Sequence, residues 1–240
     1  MIALFALGGA TALVLAKRGP AAPPASRQIL PSTPPGTRTL QRLPNRVADT
    51  SGIPGALAWD IGRGPVDAAH PAITVGVHVA GPVTYAITPP VGGPHNAVWM
   101  NAGAYTRAVP GERAVHNLEH GAVWITYTPD LPTKDVTALT ALVTKQSLLP
   151  EASPPGQANR YIDLSPWPSD TLPAPIVISS WGHQLRVTSP ADPRLQRFID
   201  TFRHSKRYSP EFGSPVDGVP LNTGGRPATD GSSKAAPAGS

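Results

Sequence analysis

The chain of 240 residues contains no cysteine, which excludes disulfide bonds, thiolate metal sites, iron–sulfur clusters and a cysteine nucleophile. Aromatic residues make up only 6% of the sequence and do not interleave with basic runs, so no stacking surface for single-stranded nucleic acid is visible. No phosphate-binding loop, dinucleotide-binding fingerprint or serine nucleophile elbow occurs either. We therefore expect no nucleic-acid partner, and a metal site here would have to use nitrogen, oxygen or thioether ligands.

Positive charge is concentrated near the N-terminus. The net charge is +5, and the first fifth of the chain carries a set of basic residues: Lys17, Arg18, Arg27, Arg38, Arg42 and Arg46. This distribution indicates a basic arm and not a nucleic-acid surface on a folded domain. With 31 prolines and 23 glycines, the chain is expected to form one core with irregular ends.

Residues 1–16 are apolar and are followed directly by Lys17 and Arg18. A helix of this length would cover about 24 Å of the roughly 30 Å hydrocarbon core, which fits a signal-peptide core or a short anchor. Basic residues on the downstream side argue against export, but a soluble cytosolic domain has no need of such a beginning. We expect a cell-membrane protein with a single N-terminal anchor and an extracytoplasmic domain.

Composition divides the rest of the chain into three parts. Residues 17–52 are rich in Pro, Ala, Ser, Thr and Arg without apolar periodicity, which predicts a linker. Residues 214–240 contain no aromatic residue and are dominated by small and polar types, which predicts a disordered tail. Residues 53–213 contain the periodic apolar patterns, and we expect them to form one globular domain.

Apolar patterns predict the strands of this domain. Apolar residues alternate over residues 73–79, and a turn at 80–82 would lead into a second strand at 83–87 as a hairpin. The continuous apolar run at 122–127 suits a central, buried strand. Further strands are predicted at residues 161–164, 176–181 and 184–187, the last two joined by a turn at Gly182 and His183.

Two helices are predicted from helical spacing and capping residues. Thr133 can cap the first helix, with Asp135 in its first turn. The second has Asp192 as its N-cap and Pro193 at its first position, and Pro210 would end it. Irregular alternation of strands and helices predicts an α+β single domain, in which a mixed or antiparallel sheet of about five to six strands carries two main helices.

The first candidate site is the pair His116 and His120, which lies directly before the apolar strand at 122–127. Histidines four residues apart lie on one face of a helix, close enough to bind one ion. The order His-Asn-Leu-Glu-His differs from the H-E-x-x-H motif, so a zincin assignment fails. Alternatively, both imidazoles only form hydrogen bonds in a polar layer above the sheet.

The second candidate is the loop at residues 89–100, rich in proline and glycine, which contains His95, Trp99 and Met100. A stiff loop with such side chains is costly to keep ordered unless it lines a site. We therefore expect it to lie beside the histidine pair.

His95, His116 and His120 would together form a set of three imidazoles. Met100, Glu119 or water would then take the open position. With Met100 the ligand set suits Cu(I), and with Glu119 it suits zinc or Cu(II).

The remaining histidines are weaker candidates. His78 falls on the polar face of its predicted strand, His204 at a helix end, and His70 in an irregular segment. His183, in a turn after a buried strand, could reach the same site, but turn geometry explains it equally well.

Three blocks of the sequence resemble a family of extracytoplasmic proteins without a settled activity, DUF3105. They lie at residues 89–105, at residues 115–121, and at residues 180–182 with the following Asp192 helix and Pro210-Glu211. The resemblance spans roughly residues 75–213, and its two histidine blocks are specific. It implies an N-terminal membrane segment and linker, but no activity.

One departure from the family pattern concerns cysteine. The resemblance implies cysteine in many members at the positions of Ala102 and Val216. If these two bond in relatives, their joint absence here is understandable, because a lone thiol is a liability in an oxidising compartment. The resemblance then implies that residues 211–219 fold back near the His95 loop.

Three functions remain open at this point. The leading hypothesis is a membrane-tethered extracytoplasmic domain that binds a transition metal ion, copper preferred over zinc, for handling or delivery to a metal-receiving protein partner. The first alternative is an envelope structural or interaction domain whose histidines only order a loop. The second is a metal-dependent hydrolase with Glu119 or Glu112 as base, so enzymatic activity is left open.

Overall fold

A six-stranded mixed sheet forms the centre of the structure, accompanied by a two-stranded sheet and three helices in the described part of the chain. The computed structural model describes residues 30–61, 77–149 and 161–216. The predicted α+β class is confirmed. The predicted N-terminal anchor lies outside the described residues, and within them no helix has the length and apolarity needed to cross a bilayer.

The larger sheet is organised around a fully buried strand at the position predicted for a central one. Its strands are β2 (Arg46–Val47), β3 (Leu57–Trp59), β5 (Val123–Tyr127), β6 (Ile162–Pro166), β7 (Ile176–Ser180) and β8 (His183–Val187). Their spatial order is β2-β3-β8-β7-β5-β6. Strand β5 pairs in parallel with β6 and antiparallel with β7, which makes the sheet mixed.

The three helices are α1 (Gly111–His120), α2 (Thr133–Ser147) and α3 (Pro193–Phe202). The Asp192 side chain accepts a hydrogen bond from the Arg194 amide at 2.9 Å, so the predicted cap of α3 is confirmed. Helix α3 ends at Phe202, well before Pro210. Helix α2 follows Pro132 without a side-chain cap, so Thr133 is its first residue and not its cap.

The described part of the predicted linker belongs to the folded structure. Strand β1 (Thr39–Leu40) pairs in parallel with β4 (Val83–Thr84), and β2 pairs antiparallel with β3. These strands have two or three residues each, too few to show a periodic apolar pattern. The folded region therefore begins before residue 53, where composition placed its start.

The predicted hairpin at 73–87 does not form as expected. Strand β4 pairs with β1, and residues 85–87 are not a strand. Residues 73–76 lie outside the described part. His78, two residues further along the chain, forms an isolated bridge with His95. The turn between β7 and β8 consists of Trp181 and Gly182, one residue earlier than predicted, because His183 already belongs to β8.

The two faces of the large sheet have different roles. Successive residues of a strand point to opposite faces. Ile125 of β5 accordingly packs with Phe198 of α3 and Leu139 of α2 in one core cluster. Its neighbour Trp124 packs with Leu118 of α1 in a second cluster. Helix α1 and the loop at 89–100 therefore share the face opposite α2 and α3.

Candidate metal centre

Helix α1 is short and almost completely enclosed. All of its residues from 114 to 120 are buried, although six of the ten residues of the helix are Glu, His, Asn or Arg. Apolar Val115 and Leu118 face the second core cluster. The buried polar side chains of such a helix need partners, and these determine what the site can do.

Gly121 makes the turn from α1 into β5 possible. Its φ is 108°, and a Cβ at this position would lie 2.5 Å from the Ser209 hydroxyl oxygen. The Gly121 carbonyl accepts a hydrogen bond from the His204 amide at 2.7 Å. His120 is thereby fixed at the very end of the helix, against residues 204–216.

The loop at 89–100 is held by side chains outside it. The side-chain amide of Gln41 donates to the Gly92 carbonyl at 2.7 Å, and the Tyr85 hydroxyl donates to the Pro94 carbonyl at 2.8 Å. A Cβ on Gly93 would lie 2.0 Å from Gln41 Nε2, so only glycine permits this approach. The loop is thus anchored at two carbonyls directly before His95.

Three histidines share one hydrogen-bonding arrangement, in which Nδ1 faces a backbone carbonyl. The distances from Nδ1 to the carbonyl oxygen are 2.8 Å for His95 to Gly93, 2.7 Å for His116 to Asn96 and 2.5 Å for His120 to Pro215. A carbonyl oxygen can only accept, so each Nδ1 carries the proton. In the neutral ring, Nε2 then keeps its lone pair.

One group of potential ligands, here called the inner group, consists of His78, His95, His116 and Glu119. One nitrogen or oxygen atom from each lies within 4.8 Å of the others. The ring centroid of His116 is 4.7 Å from that of His95 and 5.2 Å from that of His78. Small side-chain shifts would bring four such atoms to the distance of about 2.0–2.2 Å that zinc ligands keep.

The closest contact in the inner group joins His95 Nε2 to Glu119 Oε2 at 2.9 Å, and both side chains are fully buried. This contact lacks hydrogen-bond geometry, and His95 Nε2 has no hydrogen-bond partner within residues 30–61, 77–149 and 161–216. A buried nitrogen lone pair that faces a carboxylate oxygen is unfavourable unless a proton or a cation lies between them.

A second group, the outer group, shares His116 with the inner group and adds His120 and Glu211. His120 Nε2 lies 3.4 Å from Glu211 Oε2, and the Glu211 side chain is 42% exposed. The rings of His116 and His120 meet edge to face at a centroid distance of 4.4 Å. The outer group therefore reaches from the buried helix end to the surface.

The electrostatics keep the central imidazole uncharged. Burial, together with the neighbouring rings of His120 and His95, lowers the pKa of His116 to about 2. Burial also lowers the pKa of His78, again with a contribution from His95. In contrast, the close contact with the His120 ring holds the pKa of Glu211 below its usual value. Neutral imidazoles beside an ionised carboxylate are the protonation states that a metal ion requires.

A buried carboxylate fixes the helix behind the ligands. Asn117 donates to Asp163 Oδ2 at 3.0 Å and accepts from the Met100 amide at 3.2 Å. The Gly103 amide donates to Asp163 Oδ1 at 3.1 Å. Complete burial raises the pKa of Asp163 to about 7, and the two hydrogen bonds oppose this rise. Strand β6, helix α1 and the segment at 100–103 are thereby locked together.

The structure brings together most of the predicted site residues, but in two overlapping groups and not as one set of three imidazoles. His95, His116 and Glu119 belong to the inner group, and His120 belongs to the outer one. Met100 is fully buried in the second core cluster with apolar neighbours.

The two ligands that sequence reasoning missed are His78 and Glu211. His78 was assigned to the polar face of a regular strand, but it forms a bridge with His95 and is brought to the site by that pairing. Glu211 belongs to the third block of the family resemblance, which was the available signal. His183 lies elsewhere, in contact with Phe202 and Tyr208.

Ala102 and Val216, the two positions for which the family resemblance implied cysteine in relatives, lie side by side. The Ala102 amide donates to the Val216 carbonyl at 2.8 Å, and both side chains pack with Ala122 and Tyr161. The expectation that the C-terminal segment folds back near the His95 loop is confirmed as far as residue 216. Val216 is 4% exposed, so the folded region extends beyond the predicted boundary at 213.

Comparison with known proteins agrees with the resemblance seen in the sequence. Residues 77–218 match the model of DUF3105, described as a protein of unknown function. No curated protein and no solved structure matches the chain. The matched region contains every residue of the inner and outer groups.

Proposed function

The chain belongs to the DUF3105 family of proteins of unknown function, and we propose that its domain binds a transition metal ion through His78, His95, His116 and Glu119. This proposal adds His78 to the ligands expected from the sequence. The metal would be handled or delivered, and not used for catalysis.

The observation that carries the proposal is the orientation of the imidazoles. Nδ1–H of His95, His116 and His120 is directed at a backbone carbonyl in each case. Metal-binding histidines almost always donate their second ring nitrogen in this way, because the bond fixes the tautomer and the ring orientation. His95 Nε2 lies 2.9 Å from Glu119 Oε2, and His120 Nε2 lies 3.4 Å from Glu211 Oε2. His116 offers a ring nitrogen within 4.8 Å of the ligand atoms in both groups.

The donor set favours Cu(II) or Zn(II). Imidazoles suit both ions, and a carboxylate supports either of them. Cu(I) prefers sulfur, and Met100 packs among apolar side chains in the second core cluster. Affinity of a nitrogen and oxygen site for divalent ions rises to copper, so we propose that Cu(II) binds more tightly than Zn(II).

Exposure of the ligands supports handling over catalysis. His78 is exposed, and the Glu211 side chain is 42% exposed, whereas His95 and Glu119 are fully buried. An ion held among these residues lies close to solvent, where a receiving protein can reach it.

We also propose that the N-terminal segment tethers the domain to the extracytoplasmic face of a membrane. Fractionation of cells that produce the full chain tests this location.

A second candidate function rests on the same hydrogen bonds. The contacts of His95, His116 and His120 with carbonyls fix the loop at 89–100 and the segment that ends at residue 216. In an envelope structural or interaction domain, the histidines would only order these segments. Such a domain would show no specific response to a metal ion.

Thermal melting during titration with Cu(II) or Zn(II) tests the proposal, with tag-free protein because a histidine tag would bind the ion. An ion at 100 times its dissociation constant should add about 2.7 kcal/mol to the free energy of unfolding. The double variant His95→Ala, His116→Ala should lose this stabilisation. The variant His183→Gln, changed at a histidine outside both groups, should keep it.

Equal melting of wild type with and without either ion would favour the structural candidate. Isothermal titration calorimetry on the same samples gives the number of ions bound and shows whether unspecific binding contributes. A shift that survives in the double variant would also contradict the proposed ligands.

A further inference from the structure

We propose that the domain contains a second metal position, formed by the outer group of His116, His120 and Glu211, and that one ion passes between the two positions on Nε2 of His116. This inference rests on the proposed function, because the inner position is one end of the path. It assigns different tasks to the two groups: the outer group captures and releases the ion, and the inner group retains it.

The outer group has the geometry of a metal position of its own. Its three ligand atoms lie within 4.8 Å of one another, and His120 Nε2 is 3.4 Å from Glu211 Oε2. His120 donates its Nδ1 proton to the Pro215 carbonyl, so its Nε2 remains free to bind an ion. Two imidazoles and one carboxylate are a common set for a site that keeps a place open for a further ligand.

His116 cannot serve both positions at once. Its Nδ1 donates to the Asn96 carbonyl at 2.7 Å, which leaves Nε2 as the only nitrogen that can belong to both groups. A neutral imidazole carries a single lone pair on Nε2, and this lone pair can bind one ion at a time. Full occupation of one position therefore empties the other, and the domain holds one ion at full coordination.

Burial differs along this path. In the inner position both His95 and Glu119 are completely inaccessible to solvent. In the outer position Glu211 is 42% exposed. The inner group also reaches the surface at His78, but that ligand is an imidazole, and Glu211 is the exposed carboxylate of the two groups. A divalent ion from solvent is therefore attracted first to Glu211, and the buried Glu119 carboxylate then compensates its charge at greater depth, where a second ligand charge is worth more. The four inner ligands outnumber the three outer ones, which favours the inner position at equilibrium.

The backbone of the outer ligand Glu211 is held by the backbone of the inner ligand Glu119. The Glu211 amide donates to the Glu119 carbonyl at 3.0 Å. The same segment is tied down again where the Ala102 amide donates to the Val216 carbonyl at 2.8 Å. Glu211 therefore does not depend on a bound ion for its position, and the two groups form one fixed unit.

The indole ring of Trp99 lies against two histidines of the outer group, so its fluorescence can report on a bound ion. Its ring centroid lies 5.3 Å from that of His116 and 5.1 Å from that of His120. The ring of Trp181 lies 6.2 Å from that of His95, on the inner side. Because Cu(II) at either position would lie close to an indole and quench its fluorescence, binding and removal of the ion can be followed by tryptophan emission, and the variants Trp99→Phe and Trp181→Phe show how much each ring contributes to the signal.

The test uses the tag-free full chain loaded with Cu(II) alone. Stopped-flow fluorescence measures how fast an excess of chelator removes the ion, and competition titration measures the dissociation constant. We expect Glu211→Gln to leave the dissociation constant within about threefold of wild type but to slow removal about tenfold, because a neighbouring ligand set acts at high effective concentration. Glu211→Ala should behave in the same way. The control Asp170→Asn, at an exposed carboxylate, should match wild type in both.

The outcomes separate this inference from the function on which it rests. If wild type binds neither Cu(II) nor Zn(II), the proposed function fails and the relay fails with it. If wild type binds Cu(II) but Glu211→Gln and Glu211→Ala release it at the wild-type rate, only the relay is wrong. Binding of two ions with full affinity would also overturn the relay, because His116 could then not be shared.

Discussion

His95 Nε2 lies 2.9 Å from Glu119 Oε2, and both side chains are completely buried. Because His95 donates its Nδ1 proton to the Gly93 carbonyl, its Nε2 in the neutral ring carries a lone pair, as does the carboxylate oxygen that faces it. Two such atoms at this distance require a proton or a cation between them. A metal ion bound to both His95 Nε2 and Glu119 Oε2 would meet this requirement, which is why the contact supports the proposed metal site.

Glu119→Gln should separate metal binding from stability. The glutamine amide can donate to His95 Nε2, so we expect the metal-free variant to be destabilised by less than about 1 kcal/mol. The affinity for Cu(II) should fall by at least about tenfold, because the charged ligand is lost. Calorimetric titration and melting measure the two effects. Glu112→Gln is the matched control: Glu112 is a buried carboxylate of the same helix that accepts from the Val83 amide, and its variant should keep the wild-type affinity for Cu(II).

The pH dependence of stability follows from His116. Its pKa falls from the ordinary value of 6.5 to about 2 in the folded protein, so the unfolded chain binds the proton more tightly. Stability is therefore unaffected by this group above pH 6.5 and decreases as the pH falls below it, by up to about 1.4 kcal/mol per pH unit. Urea unfolding between pH 7 and 5, in the presence of chelator, measures the slope.

His116→Gln should reduce that slope, and equal slopes in the two proteins would show that His116 is protonated in the folded state. Asp163 contributes with opposite sign, because its pKa is raised to about 7 in the folded protein and its stabilising contribution is lost as the pH rises through that value. The contribution of Asp163 is the same in wild type and in His116→Gln, so it cancels when the free energies of unfolding of the two proteins are subtracted.

Asp163→Asn should destabilise the domain although it removes a buried charge. Both carboxylate oxygens accept N–H groups, from Gly103 and from Asn117. An asparagine amide would place its own N–H against one of these donors, at a cost of about 1–3 kcal/mol. Urea unfolding at pH 8 provides the measurement, and Asp130→Asn, at an exposed position, is the control. Wild-type stability of Asp163→Asn would mean that the side chain is already neutral and differently bonded.

Removal of residues 30–52 tests the extended boundary of the fold. A chain that begins at residue 53 loses β1 and β2 and leaves the Gly92 carbonyl without the Gln41 amide. We expect it to be less stable than a chain that begins at residue 30, by at least about 1–3 kcal/mol for the lost bond at Gly92 alone. Equal unfolding midpoints in urea would restore the linker interpretation.

The sequence predicted the elements whose residues carry strong local signals. Continuous apolar residues identified β5, and the Asp192-Pro193 start identified α3. Strands β1 and β2 could not be found in this way, because each has two residues and exists through its pairing with a distant segment. The same reason explains the wrong hairpin, since the partner of β4 lies more than forty residues earlier in the chain.

The candidate site was predicted where its residues are close in sequence. The spacing of His116 and His120 and the stiffness of the His95 loop identified three of the six candidate ligands, and Glu119 was named as a fourth. His78 was missed because the alternation of apolar residues around it indicated a regular strand, whereas in the structure it forms an isolated bridge with His95. Glu211 reaches the site only because residues 209–216 fold back onto α1, which local periodicity does not encode.

Anomalous diffraction from crystals of the tag-free domain grown with Cu(II) or Zn(II) tests the metal site most directly. We expect one dominant peak at about 2.0–2.2 Å from Nε2 of His95 and His116, with His78 and Glu119 completing the coordination. A weaker peak between His120 and Glu211, with both peaks summing to one ion, would agree with the shared use of His116. The proposed metal site is contradicted if, at saturating metal, no peak lies among these ligands and His95 Nε2 remains in direct contact with Glu119.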